Sequence, residues 1–295
     1  MWLKKWKIIR VLLYIAFFIF CITSCIEDIP LQSESDAMKL FVVCEMTAGQ
    51  DIIADITFTG DTKGVSPSQL MRPDTFDFSI SEGEKDFGIP FQYDEMIKKF
   101  VIKKESLQLV TGEKYKFRGI GIIKNLGEPV ISIPQGLKTD TIIVKNVIRS
   151  IIDGKHLTQL ECEIKIAKPA NSQSYFYIIP VNEAKNTYQV KSFLKDHSAF
   201  KRLKNKPGFL VDYSRMSDDN ITLILEISDD KESSVVDFSL LNTSKSFYEY
   251  NYYMSNNTGS PTNESPPIAA FNIKTDQAYG SFSAKSMSQT VVRFK

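Results

Sequence analysis

The chain has 295 residues, 43% hydrophobic and 24% charged, the make-up of a globular protein and not of a disordered one. Its 36 basic and 35 acidic side chains leave a formal charge of +1 with no basic run, so no nucleic-acid partner is expected. Only two histidines occur, His156 and His197, too few for a multi-histidine metal site and badly placed for a histidine-based triad.

The first element is the N-terminus. Met1 to Arg10 carries Lys4, Lys5, Lys7 and Arg10, and Val11 to Ile22 is an uninterrupted apolar run. A charged segment followed by a short greasy one is the plan of a secretory signal. The 15 residues from Ile8 to Ile22 include Arg10 and fall short of the ~20 apolar residues of a membrane span. Ile22-Thr23-Ser24-Cys25 resembles a bacterial lipobox. That resemblance implies removal of residues 1–24, a diacylglycerol thioether on Cys25 and acylation (palmitate) of the new N-terminus. Each buried methylene of an acyl chain is worth ~0.8 kcal/mol, so two or three chains make a firm anchor. Processing would remove both tryptophans, Trp2 and Trp6, and turn the formal charge from +1 to −3 through loss of four basic residues. The polar stretch 25–38 reads as a tether between lipid and fold.

Short runs rich in β-branched and aromatic residues with period-two alternation follow, and such runs predict strands. In the first half they cover 39–46, 51–58, 75–80, 98–103, 114–123, 129–133 and 139–145, separated by Thr59-Gly60-Asp61, Ser81-Glu82-Gly83 and Leu126-Gly127-Glu128 turn chemistry. The second half repeats the style over 146–153, 156–167, 174–181, 187–192, 221–227, 235–241, 267–273, 279–284 and 289–294. Two segments depart from it. Residues 193–206 read as a short basic helix or a loop, and 244–256 places Phe247, Tyr250 and Met254 at helical spacing behind Ser244 or Ser246 as N-cap. The expected fold is therefore all-β: two β-sandwich domains, immunoglobulin-like or prealbumin-like, at 39–145 and 146–295, with a short helical excursion in the second. Cys44 shares its strand face with Leu40, Val42 and Met46, and Cys162 with Leu160, Ile164 and Ile166. Both are expected as buried free thiols in separate cores.

Motifs for chemistry are scarce. There is no Gly-x-Ser-x-Gly elbow and no His-Glu-x-x-His, and Gly119-Ile120-Gly121 lies within a strand pattern with Lys124 where a dinucleotide fingerprint has its third glycine. Asp218-Asp219-Asn220 and Asp229-Asp230 lack the ligand spacing of an EF-hand loop and read as turn formers. No catalytic residue, metal site or cofactor is expected. The aromatic segment holds the candidate recognition residues, Tyr248 and Tyr252, which face away from Phe247, Tyr250 and Met254 on a helix; ordinary core packing is the competing reading.

Several segments together resemble a Bacteroidota outer-membrane lipoprotein family, the domain of unknown function four-two-four-nine. They are Lys39 to Met46, Gly112-Glu113-Lys114-Tyr115-Lys116-Phe117, Ser132-Ile133-Pro134, Tyr175-Phe176-Tyr177, and the order Phe247 to Tyr253, Pro266-Pro267, Phe271-Asn272-Ile273, Tyr279-Gly280-Ser281-Phe282. Lys274-Thr275-Asp276 stands where that family has a Gly-Gly pair. The resemblance implies a two-part β-rich body anchored in the outer membrane, often encoded beside TonB-dependent receptors, with no catalytic residues to carry over. The expected function is a non-enzymatic accessory or ligand-binding partner of such a receptor in nutrient uptake. A structural or adhesive surface lipoprotein is the alternative, and a hydrolase with an unrecognised carboxylate site a further one.

Overall fold

Alternation at period two decides which face of each strand is buried. The computed structural model describes residues 39–59, 76–85, 87–121, 127–136, 139–167, 174–194, 198–204, 206–256, 271–275 and 278–295, and strands such as the one at 155–166 follow that rule closely. Cys25, the expected signal peptide 1–24 and the tether 25–38 lie outside the described residues, as do His197 and Pro266-Pro267. The described residues all belong to one compact unit, Met38–Lys295.

The largest sheet has ten strands. Its path runs β13 (Phe200–Arg202), β14 (Phe209–Asp212), β11 (Tyr175–Val181), β16 (Val235–Thr243), β18 (Ala278–Arg293), β1 (Lys39–Thr47), β2 (Ile52–Thr59), β6 (Lys99–Ile102) and β5 (Gln92–Asp94), with β17 (Ile273–Lys274) paired to β18 beside it. Two four-stranded sheets accompany it: β4 (Ile89–Pro90), β3 (Phe76–Glu82), β7 (Lys114–Gly121) and β8 (Val130–Ser132), and then β12 (Gln189–Phe193), β15 (Asn220–Asp229), β10 (Lys155–Ile166) and β9 (Thr139–Ile152). Among the described residues, one α-helix, α1 (Lys245–Asn256), completes this all-β, sandwich-like architecture.

Each small sheet covers one half of the large one. In the first sandwich, Leu40, Val42, Cys44 and Met46 of β1 and Ile52, Ala54 and Ile56 of β2 pack with Phe78, Ile80, Tyr115 and Phe117 of the facing sheet. In the second, Leu160, Cys162, Ile164 and Ile166 of β10 pack with Phe176, Ile178, Phe209, Phe238 and Leu240 of the large sheet. Burying one such aliphatic or aromatic side chain is worth about 1.5–3 kcal/mol. An exposed ion pair like Lys103–Asp51 at 3.1 Å contributes about 0–1 kcal/mol. The two cores, not the surface charges, hold the fold. Cys44 and Cys162 are free and buried, one in each core, as their strand patterns predict.

The expected split into domains at 39–145 and 146–295 is not how the strands pair. The strands expected at 139–145 and 146–153 are one, β9, and the boundary falls inside it. The Lys145-Asn146 pair that resembles a break is accommodated by a register shift opposite Glu161 and Cys162, a bulge that bends the strand without ending it. The strands expected at 279–284 and 289–294 are likewise one, β18, of 16 residues. Its first half runs parallel to β1, Leu40 opposite Ala278 through Thr47 opposite Lys285, and its second half runs antiparallel to β16, Thr243 opposite Lys285 through Val235 opposite Arg293. Polar Lys285, Ser286 and Ser288, left between the two expected strands, mark the exchange of partners within one. The C-terminal strand thus supplies Ala278, Phe282 and Ala284 to the first core and Val292 to the edge of the second. One ladder joins both sandwiches.

At Gly280 three strands meet, with Val42 opposite on β1 and Ile273 on β17. Its φ is +155° and a Cβ there would lie 1.8 Å from the Val42 carbonyl oxygen, so no side chain fits. The basic segment 193–206 forms strand β13 at Phe200–Arg202 and no helix among its described residues. Strand β14 gives no alternating signal because all four of its residues are buried.

Candidate functional site

Helix α1 lies on the face of the large sheet that turns away from the two sandwich cores, and its first turn is stitched to β18. Ser244 is the N-cap: its Oγ accepts the Phe247 N–H (3.3 Å) and the Ala284 N–H (3.1 Å), while its own N–H donates to the Ala284 carbonyl (2.8 Å). Ser246 Oγ donates to the Phe282 carbonyl at 2.9 Å. Further along, Asn251 Oδ1 accepts from Lys206 Nζ (2.6 Å) and Ser255 Oγ from the Lys204 N–H (2.5 Å), tying the helix to the segment before β14. Phe247 points inward into a third, small core with Tyr177, Leu203, Leu210 and Leu241.

With 3.6 residues per turn, the tyrosines of α1 diverge to its two flanks. On one flank Tyr250 and Tyr253 meet Phe271, with ring centroids 6.2 and 6.5 Å apart. Phe271 in turn touches Phe41 and Tyr279, each at 5.8 Å. Beside this cluster a groove of about 440 Å³ runs over the outer face of β1, β2 and β6. Phe41, Val43 and Ile53 form its apolar floor, and Tyr250 contributes from the helix side. The floor exists because β1 carries apolar residues on both faces: Phe41 and Val43 alternate with the core residues Leu40, Val42 and Cys44, and Ile53 of β2 lies beside them. Glu45 and Asp55 bring charge to the groove, each with a lysine partner, Lys285 at 2.7 Å and Lys99 at 3.1 Å. Burial, and then the negative charges of Glu45 and Asp55, push the Tyr250 hydroxyl above its usual pKa, so it stays a neutral hydrogen-bonding group at physiological pH. The groove combines aromatic walls, one hydroxyl and two balanced ion pairs. That chemistry suits a largely apolar or zwitterionic ligand better than one of high net charge.

Tyr248 and Tyr252 occupy the other flank. Tyr248 lies between Tyr175 (4.9 Å, rings tilted by 42°) and Tyr252, on which it stacks (6.4 Å, rings 16° apart), and Lys201 Nζ lies 5.6 Å from the Tyr252 ring centre. Burial first, and the nearby Asp212 carboxylate second, push the Tyr248 phenol up to about 12. Tyr252 is 38% exposed, so this flank presents one accessible ring on a packed aromatic base. The structure does not bring these two candidates to the groove. Tyr250, which helical spacing groups with Phe247 and Met254 and away from the two candidates, is the helix residue that lines it. The signal was present in the apolar second face of β1, at Phe41 and Val43.

The acidic pairs close turns. Asp218 Oδ1 accepts the Asn220 N–H at 3.2 Å, and Asp219 accepts the Tyr213 hydroxyl. Asp229 Oδ2 accepts from Asn182 and Asn186, both at 2.7 Å, and those hydrogen bonds help to lower its pKa, that of Asn186 most. Gly119 and Gly121 lie in β7, as the strand pattern predicts. Among the described residues no group of three or more His, Cys, Asp or Glu side chains is placed to hold a metal. Compared with known proteins, the chain matches no family model and no curated sequence.

Proposed function

We propose that this protein is a non-enzymatic lipoprotein of the bacterial outer membrane, held there through Cys25, that captures a ligand as the accessory partner of a TonB-dependent receptor. The groove beside α1 carries the reading: about 440 Å³ of aromatic and ion-paired surface built on a rigid ten-stranded sheet. Rigid elements hold binding side chains in place without an ordering cost at each encounter. The signal-like N-terminus and lipobox support the location, and the segments from Lys39 to Phe282 that resemble the domain of unknown function four-two-four-nine support the receptor partnership.

Cross-linking in intact outer membranes, followed by capture of the protein, tests it. A large β-barrel receptor is expected among the captured proteins. Recovery of this chain alone overturns the partnership and favours a structural or adhesive role.

A further inference from the structure

We infer that the turn between β5 and β6, led by Met96 and Ile97, is a lipid-contacting tip that seats in the interfacial zone of a phospholipid bilayer. The inference rests on the lipid-anchored reading above. Met96 is 93% exposed and Ile97 49%. Their exposure is built into the backbone. Asp94 Oδ1 accepts the N–H groups of Met96 (2.9 Å) and Ile97 (3.2 Å), and Lys98 closes the turn in the left-handed region at φ +53°. Two adjacent apolar side chains are thereby held outward on a pinned turn.

Strand register places this tip. Thr59 of β2 pairs with Lys39, where β1 begins. Strand β6 pairs Phe100 with Ala54, and Lys99 bridges Asp55 at 3.1 Å, so the turn at 95–98 projects past Asp55 toward the end of the sheet at which β1 starts. The chain from Cys25 joins the body at that same end. Thirteen residues, 26–38, separate Cys25 from Lys39, and at ~3.5 Å each they reach at most about 45 Å. A lipid on Cys25 therefore tethers the body to the membrane through this end, and the far end is held only through it.

The chemistry of the tip fits a bilayer. Methionine is long, unbranched and adaptable, suited to an irregular apolar surface. Glu95 and Lys98 on the same turn offset each other in charge, so the contact is apolar and should be insensitive to salt, unlike a basic patch drawn to anionic lipid. The opposite end of the body offers an internal control. Strand β18 starts beside Leu40 and continues for 16 residues, about 50 Å at ~3.3 Å each, to Arg293. Arg149 of β9 stacks on Phe294 there, 5.7 Å from its ring centre, and Ile151, 68% exposed, lies two residues further along β9.

The two tryptophans of the chain, Trp2 and Trp6, precede Cys25, so the processed protein is free of tryptophan and a single one introduced at either tip is a clean probe. The processed chain, carrying a histidine tag in place of Cys25, is held on phosphatidylethanolamine–phosphatidylglycerol vesicles containing nickel-chelating lipid. This presents the body to lipid whether or not natural Cys25 is acylated. In Met96→Trp the emission should move to shorter wavelength and be quenched by brominated acyl chains, unchanged by high salt, while Ile151→Trp stays water-like. If Met96→Trp remains water-like, or both probes respond alike, the proposal falls, and in the first case the exposed pair becomes a candidate contact for protein. Mass measurement of the natural N-terminal peptide reports separately on the anchor.

Discussion

Replacing Gly280 by alanine tests whether the close approach of β1 and β18 is what joins the two sandwiches. A Cβ at this position would sit 1.8 Å from the Val42 oxygen and 2.7 Å from its carbonyl carbon. Carbon–oxygen contacts between neighbouring strands settle at about 3.3–3.6 Å, so the strands must part by about 1.5 Å. Such a shift breaks two or three ladder hydrogen bonds at ~0.5–1.5 kcal/mol each and adds backbone strain of ~1–3 kcal/mol. The sum is about 4 kcal/mol, a large share of the ~5–15 kcal/mol that holds a typical domain. At ~2–4 °C per kcal/mol the melting temperature should fall by roughly 8–16 °C. Two controls separate the causes. Gly112 has φ +88° and no atom within 4 Å of where a Cβ would sit, so Gly112→Ala should show conformational strain alone, ~1–2 kcal/mol. Gly136 is open and has no left-handed φ, so Gly136→Ala should be neutral within ~0.5 kcal/mol. Urea unfolding followed by circular dichroism ranks the three. A Gly280→Ala protein no less stable than Gly112→Ala would refute the idea that strand approach, not φ, sets the cost.

Further outcomes follow from burial and capping. Cys44 and Cys162, their thiol pKa values raised chiefly by burial, that of Cys162 to about 12, should resist Ellman's reagent in the folded protein and react on denaturation. Prompt labelling of either would contradict its place in a core. Tyr177, Tyr188 and Tyr248 are each pushed up to about 12, mainly by burial, above the ordinary phenol value of 10.0. A raised pKa means that the folded state keeps these protons longer than the unfolded chain. Stability should hold below pH 10 and decline as pH climbs towards 12, with phenolate absorbance appearing together with loss of circular dichroism. Free titration of all tyrosines near pH 10 in a folded protein would exclude this. Ser244→Ala removes the acceptor for the Phe247 and Ala284 N–H groups and should cost ~1–3 kcal/mol, with amide exchange rising first in α1. Unchanged exchange in α1 would show that the cap does not hold it.

Much of the fold is legible in local pattern. Period-two alternation on β1, β10 and β15 names the buried face residue by residue, because a pleated strand sends neighbouring side chains to opposite sides. It places Cys44 and Cys162 correctly, and helical spacing from Ser244 locates α1 and its inward Phe247. Polar interruptions mislead it. The boundary expected between Lys145 and Asn146 is a bulge within β9, and residues 285–288, left between two expected strands, are where β18 changes partners. The groove was half legible: Phe41 and Val43 make the second face of β1 apolar, yet nothing in the sequence shows that α1 brings Tyr250 beside it.

The amino-acid order by itself determined the strand-rich class, the identity of the core faces, the isolation of the two thiols and the signal-like N-terminus, since each depends on neighbours within one strand or one segment. Only the tertiary structure decided that β1 and β18, more than 230 residues apart, lie side by side in parallel, as Leu40 opposite Ala278 shows. Pairing over that distance leaves no local periodic trace. It is chosen by burial of both cores together, and the single sheet that runs through both sandwiches descends from that choice.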